Sequence, residues 1–395
     1  MTSAPLDILL FTNSHLPQIG GKEIVVHHLA SQYQKLGHQV RVAGPAGYRR
    51  HKGIELGYPV DRSPSYFWLG RESQWRHRTN RILKKRTYDV IHAHATHPCG
   101  YYAQKYLLKK NLSTPLVVTP HGADIHKVPE VNFGRRLDPA LDEKIRWLVS
   151  RCDQSTAISE SVRDSLIDAQ TPAEKISMIP NGVDTDRFST PVSFSAHEKL
   201  GINETTPLFV STGNYHPRKG HEHLIDAVAE LKGIDLHLAI VGRTNDDCVA
   251  RAQEKGVADK ITFTGALAFP IPGMPQSDDL LVAMLQQARA YVSASMGEGT
   301  EGLSLALLEA MAAGACPLGT SISGNRDIIE DGQNGLLVPP ASATHLADKL
   351  RALCEQPNLS ETLGQAACDS IKHMSWALIA QQYIAMYYSL IEARS

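Results

Sequence analysis

The sequence predicts an α/β protein made of two doubly wound, Rossmann-like domains that face a central cleft. Its 395 residues exceed the ~100–200 residues of one typical domain. Short apolar runs alternate with helical periodicity in both halves, which is typical of parallel sheets with helices on both faces. Such sheets bind ligands at the carboxyl ends of their strands, so two of them in tandem are expected to enclose a ligand cleft.

The first half contains alternating strand and helix candidates. The predicted strands are residues 8–11, 40–43, 90–92, 116–119, 155–158 and 176–179. The predicted helices are residues 23–36, 74–85, 100–110, 141–151 and 161–169.

The second half repeats this order. The predicted strands are residues 208–211, 238–241, 261–263, 290–293 and 335–338. The predicted helices are residues 221–232, 247–255, 279–287, 304–313 and 344–355. Residues 184–207 carry no convincing strand and are predicted to be the linker. The predicted domains are residues 1–186 and 187–375, and residues 376–395 form a closing helix that is expected to pack back on the first domain.

The composition is that of a globular protein, with 42% hydrophobic and 21% charged residues. No apolar run approaches the ~20 residues of a membrane span, and no basic residue precedes the first apolar stretch as in a signal peptide. The six cysteines lie far apart, which argues against a disulfide framework or a zinc ribbon. No His, Cys or Asp cluster has metal-ligand spacing. We therefore expect a cytoplasmic protein without a metal site.

The charge is distributed unevenly along the chain. Residues 1–186 contain 25 Lys and Arg against 18 Asp and Glu, whereas residues 187–395 contain 15 against 23. Within the first half, residues 49–86 carry 11 Lys and Arg against three acids, together with Tyr66, Phe67, Trp68 and Trp75. The cations Arg71, Arg78 and Lys85 recur at helical spacing.

Two interpretations of this basic segment remain open. In the first, it is a binding patch for an anionic acceptor or for the inner face of the plasma membrane, with residues 71–86 as the membrane contact. In the second, it is a solvated helix. Nucleic acid is disfavoured as a partner because no recognised binding motif accompanies the charge.

Residues 298–314 (EGTEGLSLALLEAMAAG) carry two glutamates in different settings. Glu301 lies in a loop, whereas Glu309 lies inside a helix that begins near Ser304. The helix start between them offers free N–H groups and a positive dipole end, which suit a phosphate. A nucleotide sugar, with a hydroxyl-rich ring on each side of its phosphates, would fit this arrangement. A capped helix with one exposed and one paired glutamate explains the same pattern without a ligand.

A second candidate phosphate site is the loop of residues 213–220 (GNYHPRKG), which connects a strand to a helix. Its Arg218 offers a guanidinium fork and its Lys219 a point charge, and together they can neutralise a diphosphate. The alternative is a basic surface turn, which is less favoured in the acidic half of the chain.

Taken together, the motifs resemble those of the retaining glycosyltransferases of family 4, the group 1 glycosyl transferases with the GT-B fold. The resemblance spans nearly the whole chain, because the motifs follow one another in family order. They are residues 17–23 (PQIGGKE), 37–38 (GH), 89–94 (DVIHAH), 119–122 (TPHG), 179–184 (IPNGVD), 218–220 (RKG), 240–242 (IVG), 263–265 (FTG), 301–309 (EGLSLALLE), 323–327 (SGNRD) and 334–338 (NGLLV).

The resemblance implies a role for each matching residue. The implied catalytic residues are His121 near the anomeric carbon, Glu301 on the donor sugar, and Arg218 and Lys219 on the diphosphate. The implied donor-binding residues are Gly20 and Gly21 in the first domain, Gly242, Arg243, Thr264 and Gly265 along the base, Leu303, Ser304 and Leu305 at the diphosphate, and Glu309 at the ribose. His94 is expected to shape the acceptor pocket, and His27, His28, His38 and His237 are expected to be structural.

Three positions depart from the family pattern. Many members have Arg where this chain has Asn214, so Arg218 is expected to compensate. Ser304 replaces a glycine and is expected to keep the backbone N–H and to add a helix cap. Asp327 replaces the more usual Glu.

The resemblance implies a retaining transfer of a sugar, from a UDP- or GDP-sugar, to the hydroxyl of a glycan, glycolipid or small-molecule acceptor. The expected setting is the synthesis of a cell-surface polysaccharide, a lipid-linked glycan or a glycolipid, with no metal or other cofactor. An epimerase or phosphorylase of the same fold, or a non-catalytic nucleotide-sugar-binding module, remains as an alternative. A dinucleotide dehydrogenase is disfavoured because residues 17–23 do not form a G-x-G-x-x-G turn.

Overall fold

The computed structural model describes residues 4–16, 18–45, 56–63, 70–267 and 279–394. The chain divides into two compact units. The first comprises Met1–Gly182 and Trp376–Ser395, and the second comprises Val183–Ser375. The first boundary therefore lies after Gly182 rather than after residue 186. Within the described ranges, no helix is both long and apolar enough to span a bilayer.

The first unit is built around a seven-stranded parallel sheet with the order β3-β2-β1-β4-β5-β6-β7. Its strands are β1 (Asp7–Thr12), β2 (Gln39–Pro45), β3 (Val60–Ser63), β4 (Val90–His94), β5 (Leu116–Val118), β6 (Gln154–Ala157) and β7 (Ile176–Met178). Its helices are α1 (Gly21–Lys35), α2 (Arg71–Lys85), α3 (Tyr101–Lys110), α4 (Pro139–Val149), α5 (Glu160–Asp168) and the last helix of the chain, α14 (Trp376–Glu392).

The second unit is built around a six-stranded parallel sheet with the order β10-β9-β8-β11-β12-β13. Its strands are β8 (Leu208–Thr212), β9 (His237–Val241), β10 (Ile261–Gly265), β11 (Ala290–Ser293), β12 (Pro317–Thr320) and β13 (Leu336–Val338). Its helices are α6 (Thr185–Ser189), α7 (Ala196–Leu200), α8 (His221–Glu230), α9 (Asp246–Glu254), α10 (Leu280–Gln287), α11 (Leu305–Ala312), α12 (Ala343–Glu355) and α13 (Pro357–Ser370).

Both sheets confirm the predicted parallel α/β architecture. Their central strands are apolar on both sides, as in β1, where Leu9 and Phe11 on one face and Leu10 on the other are fully buried. In each sheet the strand order reverses once, between β1 and β4 in the first unit and between β8 and β11 in the second. Ligands of doubly wound sheets bind at the carboxyl ends of the strands beside such a reversal.

The predicted linker, residues 184–207, is wrong, because this segment folds as part of the second unit. It forms α6 and α7, and Phe188 is fully buried in the core of that unit. Arg187 forms an ion pair with Asp279 at the start of α10 (2.8 Å). A segment rich in Pro, Ser and Thr therefore packs here through a few apolar side chains and a largely buried ion pair.

Besides α6 and α7, three elements were not predicted from the sequence: β3, β12 and α13. The edge strand β3 has charged residues in its middle, and β12 begins with Pro317 and contains Gly319, so both lack the apolar pattern of a strand. Helix α13 begins with Pro357 and has few large apolar side chains. Of the basic segment, residues 49–55 and the aromatic residues 66–68 lie outside the described ranges.

Gly364→Ala is expected to destabilise the protein, because a Cβ atom at this position of α13 would clash with the backbone carbonyl oxygen of Gly314. Overpacking of this kind costs ~1–3 kcal/mol. Urea unfolding should therefore show a lower free energy of unfolding. Gly233→Ala is the matched control, since no atom lies within 4 Å of its added Cβ. Equal stability of the two variants would contradict the close packing of α13 on residue 314.

Candidate active site

The loop after β8 is fixed to its neighbours by a glycine that no other residue can replace without strain. Gly220 has a φ of +66°, and a Cβ atom there would clash with the carbonyl oxygen of Ala294. The backbone N–H of Met296 donates to the carbonyl oxygen of Arg218 (2.7 Å). The loop that follows β8 therefore lies directly on the segment that follows β11, at the carboxyl edge of the second sheet.

This contact brings Arg218, Lys219 and Glu301 together. Oε1 of Glu301 accepts from Nη1 of Arg218 (3.1 Å) and lies 2.8 Å from Nζ of Lys219. Arg218 Nη1 also donates to the carbonyl oxygen of Thr300 (3.1 Å), and the Ser295 hydroxyl donates to Glu301 (3.4 Å). We call these three charged side chains the ion triad. Two cations share one carboxylate, so the triad retains a positive charge that an anionic ligand can compensate.

Next to the ion triad lies a small, polar pocket at the reversal point between β8 and β11. Hydroxyl groups from both strands reach it, and so do the first residues of α8 and the residue before α11. Its lining includes Thr212, Lys219, His221, Tyr291, Glu301 and Ser304. Burial lowers the pKa of His221 to about 4, so this imidazole is neutral at neutral pH. The charge of the pocket therefore comes from the ion triad.

The start of α11 differs from the prediction in one respect. Ser304 has the extended conformation of an N-cap residue, but its hydroxyl makes no capping hydrogen bond, so the predicted side-chain cap is wrong. The hydroxyl lines the polar pocket instead. The first N–H groups of a helix have no partner within it, so the start of α11 can receive an anion. Leu303, just before it, is buried in the apolar core.

Glu309 lies within α11, and the residue is half-buried. Burial raises the pKa of Glu309 to about 7, with a further contribution from the carboxylates of Asp279 and Asp184 and an opposing one from Arg187. Its carboxyl group has no hydrogen-bond donor among the described residues. It is thus available to accept hydrogen bonds from a bound ligand.

Two glycine turns place the loops after β8, β9 and β10 against each other. A Cβ atom on Gly242 would clash with the carbonyl oxygen of Gly213, and the Gly242 N–H donates to the carbonyl oxygen of Gly265 (2.9 Å). The Arg243 N–H donates to the side-chain oxygen of Asn214 (3.0 Å). Asn214 thus joins two of these loops, a role that the sequence did not predict. The loops form an edge of the second unit that also includes Thr264.

In the first unit, α1 begins at the carboxyl end of β1. Gly20 is its N-cap residue and Gly21 its first residue. A Cβ atom on Gly20 would lie 2.5 Å from Oε2 of Glu23. Glu23 is buried and accepts a hydrogen bond from the Ser14 hydroxyl. The glycine therefore leaves room at the start of α1 for a carboxylate that holds the preceding loop.

His121 follows β5 on the same sheet edge and is paired with a second histidine. Its Nε2 lies 3.1 Å from Nδ1 of His94, and its backbone N–H donates to Asp124 (2.7 Å). Burial, together with the charges of Lys22 and His92, lowers the pKa of His121 to about 3. Burial also holds the pKa of His94 well below its usual value. Both imidazoles are therefore neutral at neutral pH, and one of them donates to the other.

Beneath this pair lies a buried chain of hydrogen bonds that was not predicted. His92 Nδ1 lies 2.6 Å from the hydroxyl of Tyr387 on α14, and its Nε2 lies 2.6 Å from the hydroxyl of Thr119. The ring centroids of His92 and His94 are 4.1 Å apart. The signal for this contact is weak in the sequence, since the paired residues are 295 positions apart.

The basic helix α2 carries most of its cations on the exposed side. Arg78 is an exception, because it is buried over the ring of Trp75 at 4.4 Å, so the predicted stripe of Arg71, Arg78 and Lys85 is not a single exposed face. The Arg78 charge thus lies over the face of the indole ring, where a cation is attracted by the ring electrons. Among the described residues, no three His, Cys, Asp or Glu side chains form a group that could hold a metal ion.

The comparison with known families covers nearly the whole chain. The profile of the glycosyltransferase family 4 matches residues 19–187, and that of the group 1 glycosyl transferases matches residues 193–369. The chain belongs to the group 1, family 4 glycosyltransferases. It is therefore a transferase.

Individual relatives support this assignment. The chain is 23% identical to N-acetyl-alpha-D-glucosaminyl L-malate synthase of Bacillus anthracis and 28% identical to phosphatidyl-myo-inositol mannosyltransferase of Mycobacterium leprae, with 95% of both chains covered in each case. A similar solved structure is that of Anabaena Alr3699/HepE in complex with UDP. It is 20% identical, has a TM-score of 0.79 and covers 97% of this chain and 100% of that one. The fold of this glycosyltransferase is thus the predicted GT-B fold.

Glu309→Gln is expected to weaken the binding of a nucleoside diphosphate by ~1.5–3 kcal/mol, because an ionised carboxylate is the stronger acceptor for ribose hydroxyls. The pKa of about 7 means that Glu309 loses its proton as the pH rises through neutrality. Calorimetric affinity of the wild-type protein should therefore increase between pH ~6 and ~8, and this increase should be smaller in the variant.

The terminal phosphate of the nucleotide also titrates near pH ~6. This contribution is common to both proteins, so the difference between the two pH profiles isolates Glu309. Identical profiles would contradict the assignment of Glu309 to the ribose.

Proposed function

We propose that this glycosyltransferase transfers a sugar from a nucleoside diphosphate donor to an acceptor hydroxyl, with retention of the anomeric configuration and without a metal ion. The observation that carries the proposal is the ion triad beside the start of α11, at the reversal point of the second sheet. A UDP- or GDP-sugar is the donor that fits best, and UDP is the ligand of the similar HepE structure.

The donor would lie along the carboxyl edge of the second unit. Its diphosphate would accept hydrogen bonds from the N–H groups of Leu303, Ser304 and Leu305 at the start of α11. It would also form ion pairs with Arg218 and Lys219. Its ribose would donate to Glu309, and its base would lie along the Gly242–Arg243 and Thr264–Gly265 turns. The diphosphate would replace the Glu301 carboxylate as the partner of the two cations. Glu301 would then accept hydrogen bonds from hydroxyls of the donor sugar.

The reaction would need no nucleophile from the protein. The bond between the anomeric carbon and the phosphate oxygen breaks, and the acceptor oxygen bonds to the same face of the sugar. The acceptor proton passes to the departing phosphate. Arg218 and Lys219 would stabilise the charge that develops on this leaving group. The neutral His121 would hydrogen-bond to the donor sugar near the anomeric carbon rather than serve as an acid.

This arrangement gives no support to a non-catalytic module. A non-catalytic module would be favoured if Asn214, which stands where an arginine is more usual, left this loop without a guanidinium. In this chain the Asn214 side chain holds the Arg243 loop in place, and Arg218 supplies a guanidinium in the same loop.

The acceptor would be a glycan, a glycolipid or a small molecule bound by the first unit, in the synthesis of a cell-surface polysaccharide, a lipid-linked glycan or a glycolipid. Exposed cations between Arg71 and Arg86 would allow the protein to lie on the inner face of the plasma membrane. The two curated relatives described above, one named for a malate acceptor and one for a lipid, show how widely acceptors vary in the family.

A screen of thermal shifts with UDP, GDP, ADP and their common sugars tests the donor class. Once a donor and an acceptor are known, NMR of the product decides the anomeric configuration. Inversion would overturn the proposed mechanism, and the absence of any nucleotide-dependent stabilisation would overturn the donor class.

Lys219→Met is expected to lower kcat/KM by about a hundredfold or more, since one of two cations at the leaving group is lost. Steady-state kinetics of nucleotide release measures this effect. Lys232→Met removes the same charge from an exposed position of the second unit and is the matched control. A similar small loss in both variants would show that Lys219 does not contact the diphosphate.

Exchange of Lys84 and Lys85 for Gln is expected to reduce sedimentation with vesicles that contain phosphatidylglycerol, by ~1 kcal/mol in binding free energy for each charge. Vesicles of phosphatidylcholine alone provide the baseline. Exchange of Lys199 and Lys232 for Gln, with the same change of net charge in the second unit, should leave sedimentation unchanged. Equal sedimentation of all three proteins would contradict membrane contact through α2.

A further inference from the structure

A groove of about 410 Å³ lies between α2 and α3 of the first unit. Its volume lies within the range of small-molecule sites, ~300–1,000 Å³. Each helix contributes side chains at helical spacing, so that two stripes line the groove. Those of α2 are Glu72, Ser73, Arg76 and Asn80, and those of α3 are Tyr101, Tyr102, Lys105, Tyr106 and Lys109.

The charge of this groove is positive. Arg76 and Lys109 are exposed and have no carboxylate partner among the described residues. Lys105 donates to the hydroxyl of Tyr101 (3.1 Å) and lies 5.0 Å from the centre of its ring. The acid of the groove, Glu72, is already paired with Lys144 of α4. Three cations from two helices thus line one groove, and none of them has a carboxylate partner among the described residues.

The walls are polar and aromatic rather than apolar. Tyr102 and Tyr106 are buried with their rings against the groove, and the Tyr101 ring packs edge-on against Trp147 (5.3 Å). Tyrosine hydroxyls, Ser73 and Asn80 supply donors beside the cations. A guanidinium fork together with lysine point charges and neutral donors is the combination that binds phosphate groups in proteins.

The groove begins at the same sheet edge as the candidate histidines. Helix α3 follows β4 after one short turn, and the groove residues Tyr101 and Tyr102 are its first two residues. The ring of His97, in this turn, lies 5.6 Å from Tyr101 and 5.9 Å from Tyr102. Nε2 of His97 is buried and has no hydrogen-bond partner in the described structure. The groove therefore begins beside the turn that follows β4, at the edge of the sheet where His94 and His121 lie.

The geometry points to a phosphate-ester site in the groove between α2 and α3, which holds an anionic group of the acceptor. Arg76 binds the phosphate through its fork, and Lys105 and Lys109 bind it as point charges. The phosphate belongs either to a soluble phosphate ester or to the headgroup of a lipid. The role as an acceptor site rests on the proposed transfer reaction, whereas phosphate binding in the groove does not.

Calorimetry with two soluble probes tests the site. Glycerol 3-phosphate represents a free phosphate ester, and monomeric dihexanoyl phosphatidic acid represents a lipid headgroup. We expect at least one of them to bind, and the exchange of Arg76 and Lys105 for Gln to weaken it by about tenfold for each charge. Binding of both probes identifies a free ester as sufficient, and binding of the second alone identifies a lipid.

The matched control is the exchange of Lys199 and Lys232 for Gln, because these exposed lysines lie in the second unit, outside the groove. It should leave the affinity for the soluble probes unchanged. The proposed phosphate site is contradicted if neither probe binds, or if dihexanoyl phosphatidylcholine binds as tightly as dihexanoyl phosphatidic acid. An equal loss of affinity in both double variants would also contradict it.

A nucleotide titration of the same variants separates this inference from the donor proposal. Nucleoside diphosphate should bind the Arg76 and Lys105 variant with wild-type affinity. If the wild-type protein binds phosphate probes but no nucleotide, the donor proposal fails while the groove remains. If it binds nucleotide but no phosphate probe, the groove fails alone.

Discussion

The candidate site of the second unit depends on the ion pairs that the Glu301 carboxylate forms with both Arg218 and Lys219. This carboxylate lies within reach of Arg218, Lys219 and Ser295, so it ties the loop after β8 to the loop after β11. Backbone contacts at Met296 and Gly220 hold the same two loops. The charged atoms are thus fixed before a ligand arrives, and an incoming anion needs to displace one carboxylate rather than to order two loops.

Burial keeps the histidines near both candidate sites neutral at physiological pH. It lowers the pKa of His15 to about 3, that of His27 to about 4 and that of His97 to about 4. Positive charge at the sites therefore comes from arginine and lysine, which do not titrate in this range. Glu309 behaves in the opposite way, since burial moves the pKa of its carboxyl group towards neutrality. Among the candidate site residues, sensitivity to pH near neutrality is expected to come from this one acid.

Most strands and helices could be predicted from the sequence, because apolar periodicity is strong where both faces of a sheet are covered. The sequence did not predict β12, which lies between β11 and β13 inside the sheet although Pro317 and Gly319 weaken its apolar pattern. The motifs also located Arg218, Lys219 and Glu301, which the structure brings together. The actual contacts of Ser304 and Asn214 depend on neighbouring loops, and no local pattern contains that information.

The contribution of α14 shows why a closing helix matters for residues far from it in sequence. A chain of hydrogen bonds runs from Tyr33 through Tyr387, His92 and Thr119 to Thr156. A neutral imidazole offers one donor and one acceptor. It therefore connects the Tyr387 and Thr119 hydroxyls with hydrogen bonds that run in one direction along the chain. A protonated His92 could donate to both hydroxyls, which can each donate onward, so the chain itself is compatible with either charge state. Burial therefore determines the charge state of His92 by lowering its pKa, whereas the hydrogen bonds hold the ring on which His94 packs.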